Sequence, residues 1–300
     1  MPRISISGRL QTFLLSAFVL ACAAYLVVRF WPRGHVQELL GQMPAEAAVV
    51  AYVDVPGLTE AATDASLALS WSLGLAPNRL DAISLALTTD HELYAAAGGD
   101  FSAGLIDALL ASQGIQCGAS LGVAPCAANL GHGPVLLSVV RSGTLIATTA
   151  DALAPPSSTA FSGDKVRAAL SGGAVVWAAI DPRLLEAAME DPPADWLNLQ
   201  IVAKALEPAR AAYLTVNPLT GNNVSLRIEA HCYAADGEQL ELVLTGLNDM
   251  ALALLSRDAA AAEQWAPILK SFESSREAET VRVQWTLPAQ RLAELWRPAD

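Results

Sequence analysis

The chain has 300 residues, 53% of them hydrophobic and 16% charged, which excludes an intrinsically disordered polypeptide and a disulfide-stapled miniprotein. A net charge of −12 argues against a nucleic-acid surface or a basic membrane-surface helix, since both need clustered Lys and Arg.

From Leu10 to Val28 the sequence reads LQTFLLSAFVLACAAYLVV, without a charge. At 1.5 Å per residue such a run spans roughly 28 Å, about the hydrocarbon thickness of a bilayer. Phe30 and Trp31 follow where aromatic rings favour the headgroup region. These features predict a short tail over 1–9, a transmembrane helix over 10–31 and a tether over 32–43. Two other readings compete. A cleavable signal peptide has a shorter apolar core and a small-residue exit; Val19-Leu20-Ala21-Cys22 is similar to a lipobox, but the residues after Cys22 stay apolar. Arg3 and Arg9 nearly balance Arg29 and Arg33, so charge alone orients the span weakly. The shortness of the tail and a plausible disulfide further on favour a cytoplasmic amino terminus, with the bulk of the chain in the periplasm of a bacterial inner-membrane protein.

A first α/β unit is expected over 44–150. It opens with a strand at 47–54 and a helix from near Pro56 to about 74, which Asp54 or Thr59 can cap. Strands follow at 82–88 and 92–98, with alternating Ile83, Leu85 and Leu87 in the first. The helix Phe101–Gln113 places Phe101, Leu105, Ile106, Leu109 and Leu110 on one face, and Gly114 ends it. After a loop come strands over 133–140 and 144–150. Cys117 and Cys126 flank GASLGVAP in that loop, close enough for a disulfide if it folds as a hairpin.

Residues 151–172 form a linker, and a second unit over 173–300 follows the same plan. A strand at 174–180 leads through Asp181-Pro182 into a helix over 182–190, and a further helix runs from about Asp195 to Leu206. Strands at 211–216 and 224–233 come next. Asp236 and Gln239 suggest a capping box for a helix to about Ser256; another covers 259–272, and a strand spans 281–287. The two openings, 47–61 and 174–188, match at six of fifteen positions when displaced by 127 residues: Ala47/Ala174, Val49/Val176, Ala51/Ala178, Asp54/Asp181, Leu58/Leu185 and Ala61/Ala188. Strand-helix-strand repeated twice per unit is the order of a split βαβ sandwich. The expected fold class is therefore α+β: a transmembrane helix followed by two tandem ferredoxin-like units.

Strand 224–233 alternates most clearly. Val224, Leu226, Ile228, Ala230 and Cys232 point one way, and Ser225, Arg227, Glu229, His231 and Tyr233 the other. In 281–287, Arg282 and Gln284 join the polar side. Helices cover one sheet face in this fold, so Arg227, Glu229, His231 and Arg282 form a candidate interaction surface on the other. In the first unit the corresponding positions, Ala82, Ser84, Ala86, Ala96 and Tyr94, are small or apolar; a sheet apolar on both faces wants a cover. The second unit, a dimer mate or a membrane-complex subunit would each supply one.

Few motifs suggest chemistry. Gly118-Ala119-Ser120-Leu121-Gly122 fits the G-x-S-x-G nucleophile elbow, but no apolar strand precedes it and no helix pattern follows. Asp54 and Asp181 occupy matching strand ends, where an Asp before a helix usually caps. The four histidines are scattered, no CxxC or HxxxH occurs, and no Walker, GxGxxG or haem-attachment pattern is present. No cofactor is expected.

The stretch Pro44 to Asp54, the segment Glu92 to Phe101 and the Cys117/Cys126 pair resemble those of uncharacterised bacterial, acidobacterial-type, membrane-anchored envelope proteins with duplicated α/β units. The resemblance implies location and repeat architecture; no functional residues carry over. The expected function is a single-pass, non-enzymatic envelope interaction module or accessory subunit, contacting the bilayer through Leu10–Val28 and a protein partner through its ectodomain. A ligand-binding sensor or carrier using the cleft between the units, and a serine hydrolase at Ser120, are the alternatives.

Overall fold

The computed structural model describes residues 34–61, 80–100, 102–112, 115, 117, 119–129, 134–141, 143–153, 172–190, 197–220, 222–256 and 259–291. The expected span over 10–31 lies outside them. Among the described residues no helix is long and apolar enough to cross a membrane.

The first half runs α1 (Gly34–Leu40), β1 (Ala47–Asp54), α2 (Val55–Ala61), β2 (Leu80–Thr88), β3 (Leu93–Gly99), α3 (Ala103–Ser112), β4 (Cys126–Asn129), β5 (Pro134–Arg141) and β6 (Thr144–Thr148). The second runs β7 (Val176–Ile180), α4 (Pro182–Ala188), α5 (Leu197–Leu206), β8 (Ala209–Leu219), β9 (Asn223–Cys232), α6 (Gly237–Leu255), α7 (Ala259–Lys270), β10 (Glu273–Glu277) and β11 (Thr280–Pro288).

These strands form one 11-stranded sheet in the order β10-β11-β9-β8-β7-β1-β2-β3-β6-β5-β4. The expectation of two tandem ferredoxin-like sandwiches is therefore wrong. In a split βαβ unit the first two strands run parallel with another strand between them. Here β1 pairs directly and antiparallel with β2, and β7 likewise with β8. Nor do the halves keep separate sheets, because β1 and β7 pair antiparallel at the centre. The physical reason is the composition of those two strands. Natural edge strands are blunted by charge or proline, whereas AAVVAYVD and VWAAI carry no charge before the terminal Asp54. Two apolar edges close on one another, Val49 to Val53 of β1 pairing with Ile180 to Val176 of β7.

The duplication itself persists as topology. From the centre outward the first half reads β1-β2-β3-β6-β5 and the second β7-β8-β9-β11-β10, with β4 an addition at one edge. In the central ladder Ala51 faces Ala178, and these residues are also equivalent in the 127-residue repeat. A local two-fold axis, normal to the sheet, thus passes between them.

Helices α2 to α7 pack on one face. Leu58, Ile106 and Leu110 cover Val53, Ile83 and Ala97 in the first half; Leu240 and Leu244 cover Ala230, Val281 and Val283 in the second. Cys232 is fully buried in that second cluster, as the alternation of β9 requires. The opposite face is treated differently in the two halves. Over the first, Val36, Leu39, Leu40 and Met43, all buried, pack on Tyr52, Ala82, Ala86, Tyr94, Ala96 and Ile146. The cover sought for Ala82, Ser84, Ala86 and Tyr94 therefore comes from α1 and the turn after it, within the stretch read as a bare tether. These four residues are buried, so they are not an exposed surface. Seven residues, GHVQELL, carry too short a pattern to stand out as a helix in the sequence.

Candidate functional site

The polar residues of β9 and β11 lie on the face opposite α2 to α7, and the ladder sets them directly opposite one another. Glu229 faces Arg282, Arg227 faces Gln284, and His231 faces Thr280. Each facing pair is bonded, as cross-strand neighbours at this spacing can be. The Arg282 Nε donates to Glu229 at 2.9 Å and its Nη1 to Glu277 at 2.7 Å. Both Arg227 Nε and Nη2 donate to the Gln284 side-chain oxygen, at 3.2 and 3.0 Å. His231 lies 3.2 Å by Nε2 from the other Glu229 oxygen, and its Nδ1 is 3.3 Å from the Thr280 hydroxyl. Hydrogen bonds to Glu229 and Glu277 raise the Arg282 pKa, so this guanidinium is a fixed positive charge.

An aromatic row connects this network to the covered half. Trp177 stacks on Tyr213 with ring centroids 6.2 Å apart, and Tyr213 meets His231 edge-on at 5.6 Å. Trp177 is buried in the cluster beneath α1, Tyr213 is half-buried and Arg227 is exposed. The face thus grades from a dry apolar floor to an open ionic lattice. All four residues expected here, Arg227, Glu229, His231 and Arg282, come together. Thr280, Glu277 and Tyr213 join them without having been singled out. Thr280 carried a signal: it lies two residues before Arg282, on the same side of a strand.

Thr280, His231 and Glu229 follow one another in hydroxyl–imidazole–carboxylate order, the order of a nucleophile, its base and an orienting acid. The arrangement does not assemble a catalytic centre. Glu229 is shared with the Arg282 guanidinium, and the residues sit on an open sheet face that excludes no water.

The other candidates resolve into structural roles. Cys117 and Cys126 form a disulfide with Cα atoms 5.3 Å apart, joining the loop to the edge strand β4. Ser120 is exposed and donates to Asp107 Oδ2 at 2.7 Å, while Asp107 Oδ1 accepts the Leu121 N–H at 3.2 Å. That carboxylate pins the cystine loop onto α3; no described imidazole is hydrogen-bonded to Ser120. Asp54 and Asp181 cap: Asp54 Oδ1 accepts from the Gly57 N–H, and Asp181 Oδ1 from those of Arg183 and Leu184. Asp236 starts α6 but accepts no capping hydrogen bond through its side chain, so the expected capping box is not formed. The cleft imagined between two units is closed by the β1–β7 ladder. Among the described residues no group of three or more His, Cys, Asp or Glu could hold a metal ion.

Two concavities lie on the helical face. One, of about 410 Å³, is an apolar groove over the first half, bordered by the half-exposed Leu85 and Leu93. The other, of about 710 Å³, lies between α5 and α6.

No protein-family profile matches the chain, and no curated protein matches it. The chain is similar in structure to TP0453. Crystal form III of that protein gives a TM-score of 0.49 at 13% identity, over 85% of this chain and 96% of that one. Crystal form I gives 0.48 at 14% identity, over 87% and 98%. Crystal form IV gives 0.48 at 13%, over 86% and 95%.

Proposed function

We propose that this chain is a non-enzymatic envelope protein, tethered to the bacterial inner membrane by its apolar amino-terminal segment. Its periplasmic sheet serves as an interaction module or accessory subunit of a larger membrane assembly. One observation carries the reading. The two halves are related by a two-fold axis, yet the face that α1 seals in the first half is, in the second, an ordered lattice of Arg227, Glu229, His231 and Arg282. A sheet face built of paired, pre-positioned charges around half-buried aromatics suits a protein partner, for which electrostatic complementarity sets register and selectivity. The Cys117–Cys126 disulfide supports an oxidising compartment, and the uncharged run Leu10–Val28 supports the tether.

The test is co-purification after mild detergent extraction, comparing the native chain with the double variant Arg227→Glu/Arg282→Glu. The expected result is a defined membrane or envelope partner that the native chain retains and the folded variant loses. Recovery of the native chain alone, or a partner held equally by both, overturns the proposal.

A further inference from the structure

The cavity between α5 and α6 has a composition that points to a ligand. Its floor is made by Ala205 and Ala209, buried residues whose short side chains leave the space open. Ile201 of α5 and Val243 and Leu247 of α6 form apolar walls, and Ile201 is 49% exposed despite its size. At about 710 Å³ the volume falls within the range of small-molecule sites, which combine apolar walls with a few placed polar groups.

The charges on its rim fall into two sets. Lys204 is paired with Glu207 at 2.8 Å. Arg210 is held by Glu279 at 3.0 Å and lies 4.5 Å over the Tyr233 ring. Both cations are thus satisfied within the protein. Two lining charges are not: the Arg183 guanidinium, in the first turn of α4, and the Asp236 carboxylate, before α6, engage no side-chain partner among the described residues. Among the described residues, one cation and one anion without a side-chain partner therefore border a single apolar-walled space.

We propose that this cavity binds short apolar peptides with free termini, Asp236 receiving the ammonium and Arg183 the carboxylate while the side chains lie against Ile201, Val243 and Leu247. A zwitterion with an aliphatic body matches both charges and the walls between them. An anionic or cationic amphiphile satisfies one charge and leaves the other facing it. The volume exceeds that of one amino acid and has room for a di- or tripeptide. This site is independent of the polar sheet face, and its failure would leave the proposed function standing.

Calorimetric titration of the full chain with Leu-Leu-Leu, its N-acetyl form and its C-terminal amide tests the assignment. The expected result is saturable binding of the free peptide, weakened about tenfold by either block, the loss typical of one charge-assisted contact. Asp236→Asn should abolish the penalty for acetylation and keep that for amidation; Arg183→Gln should do the reverse. Val243→Trp, which fills the cavity from a partly buried wall, should remove binding while the chain stays folded, as its circular dichroism and cooperative melt report. Absence of binding, penalties unchanged in both charge variants, or binding of free leucine as tight as that of the peptide overturns the proposal.

Discussion

Asp54 and Asp181 make the same bonds from opposite ends of the central strand pair. The Asp54 N–H donates to the Val175 carbonyl and the Asp181 N–H to that of Ala48, each at 2.9 Å. Each carboxylate then turns to the first turn of the following helix, onto Gly57 or its repeat equivalent Leu184. The two aspartates therefore stop a strand, start a helix and mark the two-fold relation at once. Gly57 is held to its size by this arrangement, since a Cβ there would lie 2.7 Å from Asp54 Oδ2.

Removing either cap should destabilise the fold by about 1 kcal/mol, the usual cost of replacing a capping Asp by Ala. The two sites lie at opposite ends of β1, roughly 20 Å apart by strand rise, so Asp54→Ala and Asp181→Ala should be additive. Urea unfolding of the two single variants and the double variant measures this directly.

Reduction of Cys117–Cys126 should lower stability by about 2.5 kcal/mol in the chain-entropy treatment of a loop this short, whose cysteines are nine residues apart. Thermal melts with and without reductant, with Cys117→Ser/Cys126→Ser as reference, should converge on the same lowered midpoint. The loss should concentrate at the β4 edge and be seen there first by hydrogen exchange.

Alkaline pH should unfold the protein early. Burial, reinforced by the Asp54 and Asp81 carboxylates, pushes the Tyr52 phenol far above its ordinary 10.0, and burial raises the Cys232 thiol above 9.0. Both groups are held protonated in the native state, so their contribution is complete below those ordinary values. It is lost as pH climbs above them, because the unfolded chain ionises first. The melting temperature should be flat to about pH 9 and fall beyond it, and Tyr52→Phe should flatten the upper part of that fall. A Tyr52→Phe profile that declines as steeply as the native one would refute the assignment.

Asn248 is buried in α6, and its side-chain oxygen accepts the Trp285 indole N–H at 3.0 Å. Asn248→Ala leaves that donor in an apolar setting and should cost about 1–3 kcal/mol. Guanidinium unfolding supplies the energy, and a shift in tryptophan emission reports the changed indole environment.

Much of this was legible along the chain. Strand 224–233 appears as Asn223–Cys232, strand 281–287 as Thr280–Pro288, and the helix to Ser256 as Gly237–Leu255. A two-residue period fixes which side chains share a face, and so it identified Arg227, Glu229, His231 and Arg282 as neighbours in kind. It carries no information on which strand lies beside which, and that is where the expected sandwiches failed. Strand β10, ESSRE, was invisible because every residue in it is exposed and none is apolar. As the outermost strand it needs no buried side, and its charges suit an edge that must not pair further. The short β4 was hidden for a different reason: its four residues, CAAN, are too few to show an alternating pattern. Of the cavity residues, Asp236 drew notice only as a helix-terminal position and Arg183 not at all, because their shared border is made by α4, α5 and α6 together.

The Ala51–Ala178 axis gives the molecule the geometry of a homodimer written into a single polypeptide. In a true homodimer every substitution appears twice, so a face sealed in one subunit is sealed in both. Covalent fusion removes that constraint. One copy can keep a greasy lid for solidity while its twin trades the lid for an open array of salt bridges, and neither change is copied across.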